Sequence, residues 1–424
     1  MTTFTAMPKY EAYKDSGVDW IGDIPVDWDI KKLSHLFSNI GSGTTPATGN
    51  ISFYDGNIPW LQTGDLTDGV INSTSKTISE RALKTHSALK QYKAGSLVVA
   101  MYGATIGKVG LLSISTATNQ ACCVLEKTDF VDMRFAFYLF MGFKSNIVAM
   151  GYGGGQPNIS QDLIRNLRFP FPNQQLQTAI ANFLDEKTAK IDEAIAIKEQ
   201  QIELLKERKQ IIIQQAVTQG LDPTVPMKDS GVEWIGKIPA HWRLMSLRYA
   251  FEFMDHKRLP LSAIEREKKK GIYPYYGASG IIDFIDEYIF DQSLLLIAED
   301  GANLLSKSTP LCFIATGKYW VNNHAHVLKP KFGDLVYWAE LLSCFDYTVY
   351  ITGAAQPKLS RDNLGGIFIP VPPLSELENI TKCIENIKPA YNQNIDTLMK
   401  QISYLKEYKT TLINSAVTGK IKVV

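Results

Sequence analysis

The sequence predicts a mixed α/β (α+β) protein in which two globular domains alternate with two long helices, and three observations predict it. The chain repeats itself in two halves, each half closes on a long heptad-patterned segment, and the stretches between carry short β-rich runs broken by glycine and asparagine turns. Its 424 residues exceed what one compact core holds and suit two domains with connecting elements. With hydrophobic residues at 45% and charged residues at 21%, the composition excludes a disordered chain.

The repeat organises everything else. Tyr13 to Trp28 reads YKDSGVDWIGDIPVDW and Met227 to Trp242 reads MKDSGVEWIGKIPAHW, identical at 11 of 16 positions. Further along, Gln156-Pro157-Asn158-Ile159-Ser160 is answered by Gln356-Pro357-Lys358-Leu359-Ser360, and Ala216-Val217-Thr218 by Ala416-Val417-Thr418, each 200 positions later. Weaker echoes link Ala100–Ala104 with Ala298–Ala302 and Asn119–Ala121 with Asn323–Ala325. The expected order is a first domain over residues 1–173, a central helix over 174–220, a second domain over 221–373 and a C-terminal helix over 374–424.

Prolines at 170 and 172, and again at 370, 372 and 373, mark where each helix begins. Leu184, Ile191, Lys198, Leu205 and Ile212 recur every seven residues, interleaved by Thr188, Ile195, Ile202, Lys209 and Ala216. Two hundred residues on, Ile384, Tyr391, Leu398, Leu405 and Leu412 alternate with Lys388, Ile395, Ile402, Lys409 and Ala416. An apolar seam at 3.5-residue spacing predicts two helices of roughly 60 Å that pair within the chain as an antiparallel coiled coil, since each alone exposes its stripe. Between the helices, Ser96–Ala100, Leu294–Ala298 and Ala325–Leu328 read as strands.

The formal net charge of +1 hides an uneven distribution. Residues 31–172 hold 13 Lys and Arg against 8 Asp and Glu, an excess of 5 positive charges, whereas residues 243–360 hold 13 of each. At best half the molecule is suited to grip an anionic polymer unaided. Five cysteines, Cys122, Cys123, Cys312, Cys344 and Cys383, show no CxxC spacing, which implies neither zinc nor a disulfide framework and fits a cytoplasmic protein. No apolar run approaches the roughly 18 residues that cross a bilayer, and the N-terminal stretch lacks a signal-peptide core.

Catalytic chemistry is sought and not found. An independent methyltransferase needs an Asn/Asp-Pro-Pro-aromatic motif, which Phe169–Pro172 and Pro372–Leu374 do not supply. Gly103–Val109 resembles a phosphate-binding loop but has three residues between its glycines and no Ser or Thr after Lys108, so it reads as a turn beside a sheet. Glu207/Lys209 and Glu407/Lys409 have nuclease-like spacing but lie on the helices, where solvated faces explain them. His324 and His326 are expected to share one side of a strand, without further ligands for a metal.

Taken in order, the KDSGVxWIGxIPxxW box opening each half, the Gly43–Pro46 turn, the GxIGKxG-like stretch at Gly103–Gly110, the Gln-Pro box, the proline pair and the helix ending in AVT resemble type I restriction-modification specificity subunits over essentially the whole chain. The resemblance implies a non-catalytic subunit whose two variable domains are target-recognition domains, each reading one half of a split double-stranded DNA target. The helix pair then sets the spacing and docks methyltransferase (modification) subunits. It also implies S-adenosylmethionine in those subunits, ATP and Mg in a separate restriction motor-nuclease subunit, and no cofactor or metal on this chain. Unlike domains imply an asymmetric target. The rival reading is a tandem-domain scaffold on a coiled coil that binds protein.

Base readers are expected among polar side chains on loops, with tyrosine available for stacking. In the first domain these are Thr44, Thr45, Gln62, Thr63, Tyr102, Lys108, Asn119 and Gln120; in the second they are Tyr276, Ser279, Asn303, Lys307, Tyr319, Asn322, Asn323 and His324. Gln156 and Gln356 recur in both halves and read as structural. Lys257, Arg258 and Lys268–Lys270 read as phosphate contacts or solvated surface.

Overall fold

Each long helix starts where proline ends a strand. Arg168–Phe171 runs into Pro172 and Asn173, whose side chain accepts from the Leu176 amide at 3.0 Å, and the helix Gln174–Gln219 follows. Phe368–Val371 leads through Pro372 and Pro373 into Leu374–Val417 in the same way. Glycine ends both: Gly220 at φ 80 and Gly419 at φ 71 take the left-handed conformation that closes a helix C-terminus. The computed structural model describes residues 7–151, 158–300, 303–306, 309, 311–353 and 357–423.

Every heptad position named above is buried or half-buried along both helices, while the residues between them are mostly exposed. Cross-helix bonds follow the 200-residue offset. Lys409 Nζ donates to both carboxylate oxygens of Asp192 at 2.7 Å, and Lys209 Nζ donates to Asn392 at 3.0 Å. The Lys409 side chain is only 23% exposed, so it belongs to the helix pairing rather than to a solvated face, correcting the sequence reading.

Two compact units result, one of Met1–Lys198 with Lys400–Val424 and one of Glu199–Met399, so each takes part of both helices. In the first unit a five-stranded sheet has the order Ile40–Ser42, Cys122–Leu125, Leu97–Ala100, Val109–Leu112, Gly69–Ile71. A four-stranded sheet has the order Lys76–Ile78, Tyr54–Leu61, Thr116–Thr118, Gln91–Tyr92. The second unit repeats the plan: Phe251–Phe253, Ala325–Pro330, Leu294–Ala298, Cys312–Ala315 in one sheet, and Gly280–Ile285, Lys270–Gly277, Lys318–Val321, Phe290–Asp291 in the other. Among the described residues, only Gly69–Ile71 lacks a counterpart in these sheets. The all-buried strands Leu97–Ala100 and Leu294–Ala298 lie inside their sheets, which explains their unbroken apolar sequences.

The repeated box packs against a helix end in each unit. Trp242 is fully buried, and a side chain on Gly220 would come within 3.2 Å of its ring. In the other unit Trp28 is buried, Tyr13 donates its hydroxyl to the Gly419 carbonyl at 3.0 Å, and the Lys422 amide donates to the Pro8 carbonyl at 2.7 Å. Among the described residues no helix is long and apolar enough to cross a membrane.

Candidate DNA-contacting loops

In the first unit, loops leaving several strands are tied to one another by backbone bonds. The Asn119 amide donates to the Leu61 carbonyl at 3.1 Å, the Met101 amide to the Ala121 carbonyl at 2.8 Å, and the Ile159 amide to the Met101 carbonyl at 2.7 Å. Gly43 seals the cluster by close approach: its amide donates to Thr118 Oγ1 at 3.0 Å, and a Cβ there would sit 1.7 Å from the Thr118 carbonyl oxygen. That contact fixes the Gly43–Pro46 turn and places Thr44 and Thr45. Thr45 then donates to Gln120 Oε1 at 2.7 Å.

This geometry gathers Thr44, Thr45, Gln62, Thr63, Tyr102, Asn119 and Gln120 along one rim. Gln120 is exposed and the others half-buried. Gln62 opens a tight turn through its own amide, which donates to Asp65 at 2.8 Å. Burial raises the Tyr102 hydroxyl above its ordinary pKa, leaving a neutral donor beside Gln120. Lys108 lies half-buried across the turn from Tyr102; Gly103 and Gly107 shape that turn at φ 85 and 73.

The second unit builds the same rim from different residues. The Asn322 amide donates to the Tyr276 carbonyl at 3.0 Å, the Glu299 amide to the His324 carbonyl at 2.9 Å, and the Leu359 amide to the Glu299 carbonyl at 2.7 Å. Ser279, Asn323 and His324 are exposed there, and Tyr276 is half-buried. His324 Nδ1 donates to the Asp300 carboxylate at 2.9 Å.

Several expectations are corrected. Tyr319 is fully buried, stacked at 5.5 Å on Phe290 and edge-on to Tyr276, so it is a core residue. Asn322 is buried and spends its carbonyl oxygen on the His324 amide at 2.8 Å, positioning the loop rather than facing outward. Asn303 clasps a turn, donating to the Thr309 carbonyl and accepting from the Thr309 amide. Lys307, Gln156 and Gln356 lie outside the described residues. His324 and His326 do not share a side: His324 precedes the strand on the surface, whereas His326 is fully buried within it. Among the described residues no His, Cys, Asp and Glu cluster suits a metal.

A charged network behind this rim escaped sequence reasoning. His326 Nδ1 donates to Asp255 at 2.7 Å and Nε2 to the Leu359 carbonyl at 2.8 Å. Arg258, only 13% exposed and so no solvated surface residue, donates to Glu299 and to the Ala325 carbonyl at 2.8 Å. Lys358 reaches the other Glu299 oxygen at 3.2 Å. Burial is the largest single influence and works to raise both carboxyls, but the hydrogen bonds and positive charges around them together outweigh it and hold both below their ordinary range: His326, Arg258 and the Val327 amide for Asp255, and Arg258, His326 and Lys358 for Glu299. The network locks four rim segments together. Its members are scattered over the sequence; the Lys257-Arg258 pair and His326 drew notice singly, but nothing in the sequence signalled that they meet.

All five cysteines are free, and burial pushes the Cys123 and Cys344 thiols up to about 12, away from an activated thiolate.

Comparison with known proteins decides the identity. The family description "Type I restriction modification DNA specificity domain" matches residues 25–207 and again residues 239–404, one match per half. The chain belongs to this family. It is a specificity subunit of a type I restriction-modification system, a non-catalytic component of such complexes. The MjaIX specificity subunit of Methanocaldococcus jannaschii is 23% identical over 432 residues, covering 95% of each chain. The EcoprrI specificity subunit of Escherichia coli is 25% identical over 410 residues, covering 92% of each. A chain from a structural study of complex assembly and conformational transition in a type I restriction-modification system has a TM-score of 0.71 at 15% identity, covering 94% of this specificity subunit and 99% of that chain. The HsdS subunit of Thermoanaerobacter tengcongensis has a TM-score of 0.51 at 17% identity, covering 94% and 98%. These likenesses support the mixed α/β two-domain fold.

Proposed function

We propose that each mixed domain reads one half of a bipartite, asymmetric double-stranded DNA target. The observation that carries this is one rim, tied by equivalent backbone bonds in both units, presenting different side chains in each. Identical scaffolding with unlike contact residues is what two unlike half-sites require. The long helices, read as an intramolecular antiparallel coiled coil with its seam at Leu184, Ile191, Ile195, Ile202, Leu205 and Ile212 against Ile384, Tyr391, Ile395, Leu398, Ile402, Leu405 and Leu412, set the interval between half-sites. The Lys409–Asp192 and Lys209–Asn392 bonds support that pairing.

The same helices dock the methyltransferase subunits, which carry S-adenosylmethionine, and a motor-nuclease subunit using ATP and Mg completes the enzyme. Partners also supply part of the phosphate grip, consistent with a net charge of only +1. Five free cysteines suit work in the cytoplasm.

Long-read methylome sequencing of a methylation-free host tests the reading. Expressing the cognate modification subunit with this chain is expected to yield a new split adenine-methylated motif, absent without the chain. Soluble, co-purifying subunits that leave the genome unmethylated overturn it.

A further inference from the structure

We propose that the second domain recognises thymine in its half-site through the branched methyl groups of Ile281 and Ile282. The proposal rests on the reading that each rim faces DNA. Both residues follow the tip of the hairpin joining Lys270–Gly277 to Gly280–Ile285. The connection is only Ala278-Ser279, with Gly277 paired to Gly280 and Gly280 at φ 127, a conformation open to glycine.

So tight a turn brings the first residues of the returning strand to the rim. Ile281 is 48% exposed and Ile282 52% exposed. Ile282 lies over Gly277, where a Cβ would meet its Cγ2 at 3.3 Å and the side-chain nitrogen Nδ2 of Asn322 at 3.5 Å. The isoleucine is therefore a neighbour of the loop that presents Asn323 and His324, and the Asn322–Tyr276 backbone bond holds hairpin and loop together.

In the first domain the equivalent strand pair, Tyr54–Leu61 with Lys76–Ile78, is connected by a longer segment that begins with Gln62 and Thr63. One rim presents an amide and a hydroxyl where the other presents methyl groups. In the major groove the C5-methyl of thymine is the apolar group that distinguishes an A·T pair, and its paired adenine offers the donor and acceptor that an exposed asparagine matches. Half-exposed isoleucines at the hairpin tip, with Ile282 near Asn322, and with Asn323 exposed on the same loop, suit that combination.

The test uses the full chain bound to its modification subunits and the target read from the methylome. Exchanging residues 221–373 for those of another family member assigns the second half-site. Each thymine there is then replaced by uracil, which removes the methyl group alone, and binding is measured by competition. At one or more positions uracil is expected to weaken binding roughly fourfold, the value of one buried methyl group. In an Ile281→Ala, Ile282→Ala double variant that penalty is expected to vanish. A second half-site without thymine, a flat response to every uracil, or a penalty undiminished in the variant overturns the proposal while leaving DNA reading intact. Failure of the wild-type complex to bind any methylated motif overturns the reading beneath it.

Discussion

His326 meets acceptors at both ring nitrogens, a carboxylate on one side and a backbone carbonyl on the other, in a position closed to water. Asp255, 8% exposed, answers it, and replacing the carboxylate takes away a charged acceptor on which both the buried His326 ring and the Val327 amide depend. Asp255→Asn is expected to cost about 3 kcal/mol at neutral pH. The pH dependence has a definite sign. Asp255 and Glu299 titrate in the fold below their ordinary values of 3.8 and 4.5, so their stabilisation is complete above that range and is lost as pH falls through it. Thermal unfolding of wild type and Asp255→Asn between pH 7 and pH 3 checks this: the gap between them should narrow on acidification, and a constant gap contradicts it. At this scale the sequence is least legible. Arg258 reads as a surface cation and Tyr319 as a contact residue, because exposure is set by partners such as Glu299 and Phe290 that lie distant along the chain.

The helices were the most legible elements, since a seven-residue period is local and appears twice at one offset. Strand pairing was less so. Tyr54–Leu61 lies parallel to Thr116–Thr118, and Gly69–Ile71 joins the other sheet, pairings that no local periodicity encodes. One helix breaks its own rule. Pro389 lies within Leu374–Val417, exposed, where it removes a backbone donor and its ring crowds the preceding turn. The corresponding residue of the central helix is Ala189. Pro389→Ala is therefore expected to stabilise the chain by about 1 to 3 kcal/mol, read as a higher urea midpoint with unchanged slope. An unchanged or lower midpoint indicates that the surrounding structure has already accommodated the ring.

For the molecule as a whole, the repeated box has the same task twice. After Gly220 a few residues carry the chain directly to Met227–Asp229, whereas in the other unit Lys422 and Pro8 meet through a hydrogen bond. A chain reordered to begin at residue 221, run to 423, cross a short linker to residue 8 and end at 220 keeps every contact described within either unit. Such a permutant is expected to match the wild type in thermal stability and to direct methylation to the same motif; a changed motif or an insoluble chain contradicts this. The two-domain layout was legible for the same reason, because the box KDSGVxWIGxIPxxW announces each half before any fold is known.

That hydrogen bond between Lys422 and Pro8 bears on inheritance as much as on shape. Because each half opens with the same box and closes with the same helix ending, a genetic exchange whose joints fall within those repeats delivers a complete reader already fitted to its mounting. If each rim reads a half-site as proposed, new combinations of half-sites are expected from shuffling whole readers, with no need to re-evolve the frame that holds them.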